Sequence, residues 1–91
     1  MKYSIIIPTL NHCYDLLQPC LTTLINYTDL TDGEVIVVAN GCIDDTEKVV
    51  ADINHPSIKL IWFDQPLGFA RAINEGIKIS CGDYIVLLNN D

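Results

Sequence analysis

Four short runs rich in Ile, Val and Leu are separated by segments whose apolar residues repeat with a helical period, and this alternation is the strongest constraint on the fold. The runs are YSIII (Tyr3 to Ile7), EVIVVA (Glu34 to Ala39), SIKLIWF (Ser57 to Phe63) and DYIVLLN (Asp83 to Asn89). The first, second and fourth are near-continuous in aliphatic residues, the pattern of strands covered on both faces of a parallel sheet. The third sets Ile58, Leu60 and Trp62 against Lys59 and Ile61, which suits an edge strand.

Between the first two runs, Leu16, Leu17, Cys20, Leu21, Leu24 and Ile25 form one helical stripe. Pro19 lies inside it and lacks a backbone donor, so an irregular first turn or a bend is expected there. A second helix is expected from about Asp44 to Ile53, with Asp44, Asp45 and Glu47 at its positive end and Val49, Val50 and Ile53 towards the sheet. A third spans about Leu67 to Ser80, with Phe69, Ala70, Ile73 and Ile77 inward and Gly82 beyond its end. A β-α-β-α-β-α-β order predicts right-handed crossovers and an α/β, three-layer, Rossmann-like parallel sheet flanked by helices. Ligands of such sheets bind outside the carboxyl ends of the strands. Three loops reach that edge, Pro8 to Tyr14, Asn40 to Asp45 and Asp64 to Gly68, and the chain ends there at Asp91.

With 91 residues, 49% hydrophobic and 19% charged, the chain reads as one globular domain, too apolar to be disordered. A net charge of −7 and only five Lys and Arg argue against a nucleic-acid partner, because phosphate-backbone binding needs clustered cations. Four cysteines without C-x-x-C spacing read as reduced thiols of a cytoplasmic protein, not a zinc site. The amino terminus MKYSIIIP is far short of a secretory core or of the roughly 20 apolar residues of a membrane span.

Several residues at the ligand edge have two readings each. Asn89, Asn90 and Asp91 supply oxygen ligands suited to Mg²⁺ or Mn²⁺, or form a polar turn. Asn40 and Gly41 present an amide to a base or sugar edge, or make an Asn-Gly turn. Asp44 reads a ligand or caps the second helix. Arg71, Asn74 and Lys78 share a helix face that meets a diphosphate or is solvated, with an Arg71 to Glu75 pair. His12 has no acid or Cys spaced to make it a base or metal ligand, and His55 precedes Pro56 in a turn at the far edge. The glycine fingerprint of a dinucleotide-dependent oxidoreductase is replaced after the first strand by PTLNHCYD, and the acid pair of a phosphate-accepting receiver is missing there.

The stretches SIIIPTLN, VIVVANGCIDDT and QPLGFARAINEGIKISCGDYIVLLNND, in this order and ending in a variant of the D-x-D motif, resemble the nucleotide-binding half of family 2 glycosyltransferases with the GT-A fold. The resemblance covers essentially the whole chain. It implies a sheet order of 3-2-1-4 and places residues 1–91 as the amino-terminal nucleotide-sugar-binding half of a truncated GT-A domain, with the acceptor-binding part and the general base outside it. The implied activity is metal-assisted transfer, with inversion, of a sugar from a nucleotide-diphosphate sugar to a saccharide or other hydroxyl acceptor. The fragment itself then binds nucleotide at most. The alternative is a non-catalytic nucleotide-binding or structural α/β module.

The resemblance assigns Pro8, Thr9 and Asn11 to the base and ribose, Ala39 and Asn40 to the base edge, and Asp44 and Thr46 to the acid and hydroxyl that open the second helix. Gly68, Phe69, Arg71, Asn74 and Gly76 match the stretch facing the nucleotide sugar or diphosphate. Asn89, Asn90 and Asp91 match the D-x-D position, with Asp91 the metal ligand for Mn²⁺ or Mg²⁺. The chain departs from the family at Ala39 and Asn40, where acids are frequent, at Leu10, where an aromatic commonly stacks on the base, and at Cys42, where Ser is usual. UDP, dTDP and GDP sugars therefore all stay open as donors. The implied setting is cytoplasmic or peripheral to the inner face of the membrane, and a sheet ending at its fourth strand implies self-association through exposed edges.

Overall fold

The computed structural model describes residues 2–89. Strands β1 (Tyr3–Thr9), β2 (Gly33–Asn40), β3 (Ile58–Phe63) and β4 (Tyr84–Leu87) alternate with helices α1 (Gln18–Tyr27), α2 (Thr46–Ile53) and α3 (Phe69–Ile79). Every pairing is parallel, in the order β3-β2-β1-β4. The chain winds outward from β1 to β3 and then crosses back to β4, so the direction of winding reverses beside β1. Loops diverge at such a reversal and leave a crevice at the carboxyl ends of the strands.

Alternation along the strands builds two core layers. Ile5, Ile7, Val35 and Val37 pack with Leu17, Leu21 and Leu30 on the face covered by α1 and α2. Ile6, Ile36 and Val38 pack with Ala72 of α3 on the other face. Burying each such aliphatic side chain stabilises the fold by about 1.5–3 kcal/mol, and β2 is covered along nearly its whole length.

The third helix meets the sheet through a different stripe from the expected one. Ala72 and Gly76 are buried and Ile73 half-buried, whereas Phe69 is 56% and Ile77 39% exposed and Ala70 is exposed. The physical reason is close approach: a Cβ on Gly76 would lie 2.9 Å from Ile6 Cγ2 and 3.1 Å from Val38 Cγ2. The helix turns its smallest residues to the sheet and leaves its larger ones at the rim. The fourth strand also differs from expectation, being four residues long and exposed on both faces from Tyr84 to Leu87. It pairs only with β1, and neither layer extends over it. The alternating run at β3 is an edge strand, as its pattern predicts.

Two prolines are accommodated by local geometry. Ahead of α1, Cys13–Leu17 form a π-helical turn, in which the Gln18 N–H reaches back to the Cys13 carbonyl. This wider turn places Pro19 in the first turn of α1, where a missing N–H breaks no helical bond. Pro8 lies inside β1, yet the β1–β4 pairing ends at Ile6 and Leu87. The Ile6 carbonyl accepts the Leu88 N–H at 3.0 Å, so even-numbered residues of β1 face β4, and the donor that Pro8 lacks would point past the end of that ladder.

At the opposite end of the sheet a buried carboxylate joins three strands and the entry to the fourth. Glu34, with no exposed surface, accepts hydrogen bonds from Ser4 Oγ, Lys59 Nζ and the Cys81 N–H, each at 2.6 Å. Ser4 Oγ in turn accepts the Gly82 N–H at 2.9 Å, just before β4. Burial alone would push the Glu34 carboxyl up, but these donors outweigh it and hold the pKa at about 2. Among the described residues no buried side-chain polar atom lacks a partner.

Candidate functional site

At the carboxyl ends of the strands, where the winding reverses, lies an open cleft of about 390 Å³. Its lining comes from the last residues of β1 (Pro8 and Thr9) and the loop that follows (Leu10 to His12), the end of β2 (Asn40), the first residue of α3 (Phe69), Leu16, and Asn89 after β4. Leu10, 53% exposed, and Phe69, 56% exposed, are the exposed large apolar residues of the lining, and Leu16 is half-buried beside them.

The loops around the cleft are held by side-chain bonds that run from one loop to the next. Asn11 and His12 both have φ of 59°, the left-handed region that Asn tolerates better than most residues. In that conformation Asn11 Oδ1 accepts the Ile43 N–H at 3.0 Å, and the Asn11 N–H donates to Cys42 Sγ at 3.3 Å. The buried Cys42 thiol donates to the Thr9 carbonyl at 3.4 Å. Cys42 thus acts as both acceptor and donor between the two loops.

Asp44 joins the same two loops. Its Oδ2 accepts the Cys13 N–H at 3.1 Å, and its Oδ1 accepts the Thr46 N–H at 3.2 Å and the Thr46 hydroxyl. Burial would raise this carboxyl, but the bonds from Thr46 and Cys13 prevail and hold it below the ordinary carboxylate value. Burial, and then the Asp44 carboxylate, push the Cys13 thiol up. The α2 helix begins at Thr46, two residues later than the sequence suggests, because Asp44 folds over its first turn as an Asx turn and does not enter the helix.

Asn40 joins the β2 and β3 loops. Its Nδ2 donates to the Leu67 carbonyl at 2.9 Å and its Oδ1 accepts the Leu67 N–H at 2.6 Å. Gly41 follows with φ of 78°, and a Cβ there would lie 2.7 Å from Pro66 N. The Gly41 N–H donates to the Phe63 carbonyl at 3.0 Å.

One pairing was not legible in the loop sequence. His12 Nδ1 lies 2.9 Å from Asp15 Oδ2, and hydrogen bonding to His12 holds the Asp15 carboxyl below its usual range. An acid is thus positioned beside His12, contrary to the expectation from spacing, because His12 is the residue before the helical turn and Asp15, three residues on, lies on the same side of it. His55 lies at the far end, where its Nδ1 accepts the Ser57 N–H at 3.1 Å.

The family model for glycosyl transferase family 2 matches residues 4–91. The chain belongs to glycosyl transferase family 2. It is 32% identical over 90 residues to a chondroitin synthase of Escherichia coli, covering 97% of this chain and 13% of that protein. The fold superposes with a TM-score of 0.88 and 24% identity on the mannosyltransferase PcManGT from Pyrobaculum calidifontis in complex with GDP-Man and Mn²⁺, over 99% of this chain and 27% of that one. It superposes with a TM-score of 0.82 and 26% identity on S. aureus TarS 1-349 in complex with UDP, over 100% of this chain and 28% of that one. The family 2 chain thus spans well under half the length of these proteins.

Within this family 2 chain, Pro8, Thr9, Asn11, Asn40 and Asn89 come together around the cleft. Asp44 sits at a neighbouring groove that also takes in Asn11 and His12. Arg71 and Asn74 are exposed on α3 and do not line the cleft. The expected Arg71 to Glu75 pair gives way to a bond at 3.0 Å between Lys78 Nζ and Glu75. Asn90 and Asp91 lie outside the described residues. Among the described residues no group of three or more His, Cys, Asp or Glu is arranged to hold a metal ion. Phe69 and Leu16 line the cleft without having been singled out as apolar walls, since helix and rim positions share one apolar signature.

Proposed function

We propose that the chain is the nucleotide-sugar-binding part of a glycosyltransferase that moves a sugar from a nucleotide-diphosphate donor to a hydroxyl acceptor with inversion. The observation that carries this reading is the cleft itself, which sits at the carboxyl edge of a family 2 fold and gathers Pro8, Thr9, Asn11, Asn40 and Asn89. Binding of GDP-Man by PcManGT and of UDP by TarS supports a nucleotide diphosphate as the ligand class. Pro8, Thr9 and Asn11 would hold base and ribose. Arg71 and Asn74, solvent-facing on α3, would meet the diphosphate or sugar from outside the cleft.

The Mn²⁺ of PcManGT supports a divalent cation in the reaction. The described lining offers an amide oxygen at Asn89 but no carboxylate. A hard cation such as Mn²⁺ or Mg²⁺ therefore fits this edge when Asp91, with Asn89 and Asn90 beside it, completes the ligand set. When bound, such an ion neutralises charge developing on the leaving diphosphate. Asp91→Ala in the transferase should abolish metal-dependent turnover, and an unchanged rate would remove Asp91 from that role.

Thermal unfolding with UDP, dTDP and GDP, each with Mn²⁺ or a chelator, tests the reading. A ligand at ten times its dissociation constant stabilises by about 1.4 kcal/mol, which raises the midpoint of so small a domain by roughly 6–11 °C. A metal-dependent rise with one nucleotide supports the proposal and names the donor class. No rise with any of them overturns nucleotide binding by this chain.

Two placements accompany this reading. Four free cysteines support a reducing, cytoplasmic setting, including the inner face of the membrane, and no described helix is long and apolar enough to cross a membrane. The exposed edge strand β4 supports self-association. Light scattering that shows a monomer at high concentration would refute the second placement.

A further inference from the structure

The amide of Asn40 is bonded in both directions to a single residue, and its partners fix its orientation. The Leu67 N–H can meet only Oδ1 and the Leu67 carbonyl only Nδ2, at 2.6 and 2.9 Å. An Asp at this position could accept the N–H but would set its charge against the carbonyl, so the exchange of acid for amide at residue 40 has a structural logic. Leu67 precedes Gly68, whose carbonyl accepts the Ala72 N–H at 2.9 Å to begin α3. Phe69, the first residue of that helix, stands exposed in the cleft wall. Independent contacts pin the same loop to the end of β2: the bond from the Gly41 N–H to Phe63 and the close approach of Gly41 to Pro66. The neighbouring position gives a ligand nothing polar, since Ala39 has no exposed surface.

We propose that Asn40 is a positioning residue: it braces Leu67, and through it Gly68, Phe69 and the start of α3, against the end of β2, so that base selection passes to the loop Pro8 to His12. This rests on the nucleotide-binding reading above and deepens it. A side chain that reads the base edge changes the ranking of bases when replaced. A brace weakens all of them together, because it acts on the shape of the cleft wall.

The test compares the protein with Asn40→Ala and Asn40→Asp in two measurements. The first is amide hydrogen exchange at Leu67, which needs no nucleotide. Protection should be present in the parent, lost in Asn40→Ala and reduced in Asn40→Asp, and unchanged protection in both variants overturns the brace. The second is the affinity for UDP, dTDP and GDP with Mn²⁺. All measurable affinities should fall together with their ratios kept, by roughly tenfold and at most by the worth of two net hydrogen bonds, since the ligand must then re-order the wall that Asn40 had held. A change of tenfold or more in the ratio between bases overturns the positioning role and makes Asn40 a base reader. If the parent binds none of the three nucleotides, the functional reading fails, and the transfer of base selection fails with it. The brace is then decided by Leu67 exchange alone.

Discussion

Replacing Glu34 by Gln should be among the most damaging isosteric changes in this protein. The carboxylate is fully buried and accepts three hydrogen bonds that tie β1, β2, β3 and the entry to β4. Its pKa falls from 4.5 to about 2 in the fold. At about 1.4 kcal/mol per unit, the ionised form adds about 3 kcal/mol to folding stability at neutral pH. A carboxamide of the same shape forfeits this and turns an NH₂ towards one of three donors. Lys59 is 42% exposed and can turn to water, which keeps the loss below that of stranding a fully buried cation. A loss of about 3 kcal/mol lowers the melting midpoint by about 12–24 °C in a chain of this size.

The sign with pH follows from the direction of the shift. A carboxyl with a depressed folded-state pKa contributes fully above its unfolded value of 4.5, and the contribution disappears as pH falls through about 2. Thermal or urea unfolding from pH 7 to pH 2 should therefore show parent and Glu34→Gln far apart at neutral pH and converging in acid. Midpoints within about 4 °C of each other at pH 7, less than one kcal/mol on that scale, would refute the reasoning. Curves that stayed parallel down to pH 2 would refute it as well.

Three further outcomes are expected. Gly41→Ala should cost more than about 1 kcal/mol in urea unfolding, because φ is 78° and the new Cβ meets the Pro66 backbone. Gly68→Ala, with nothing within 4 Å of the new Cβ, should leave stability equal or raise it by up to about 1 kcal/mol, and the reverse order of the two variants would contradict the geometry. Asp44→Ala should destabilise by about 1–2 kcal/mol through loss of its bonds to Cys13 and Thr46, and an unchanged unfolding midpoint would count against this. In the native protein Cys81, which is exposed, should react first with a thiol reagent, and mass mapping that found Cys13 or Cys42 labelled earlier would contradict their burial.

Much of the fold was legible because its signals are local. Near-continuous Ile and Val in β1 and β2, the stripe from Leu16 to Ile25, and the spacing between runs imply a parallel sheet wherever such a chain packs. Motif order then gave the strand order and the family. The face of α3 was not legible, because hydropathy ranks Phe69 and Ile77 above Ala72 and Gly76. Packing favoured the small residues, which let helix and sheet approach each other.

The sequence by itself determined the strand and helix order, the edge at which polar residues gather, and the family, since each depends on residue types at fixed spacing. Only the tertiary structure decided what those polar residues do. Asn11, Asn40 and Asp44 carry side chains that suit a ligand, but each first satisfies a backbone group on another loop. Likewise Glu34, unremarkable at the head of a strand, became the buried junction of the sheet once Ser4, Lys59 and Cys81 closed around it. The partners lie 25 to 47 residues away along the chain, and no local pattern encodes a contact at that separation. It is settled only when the strands are side by side.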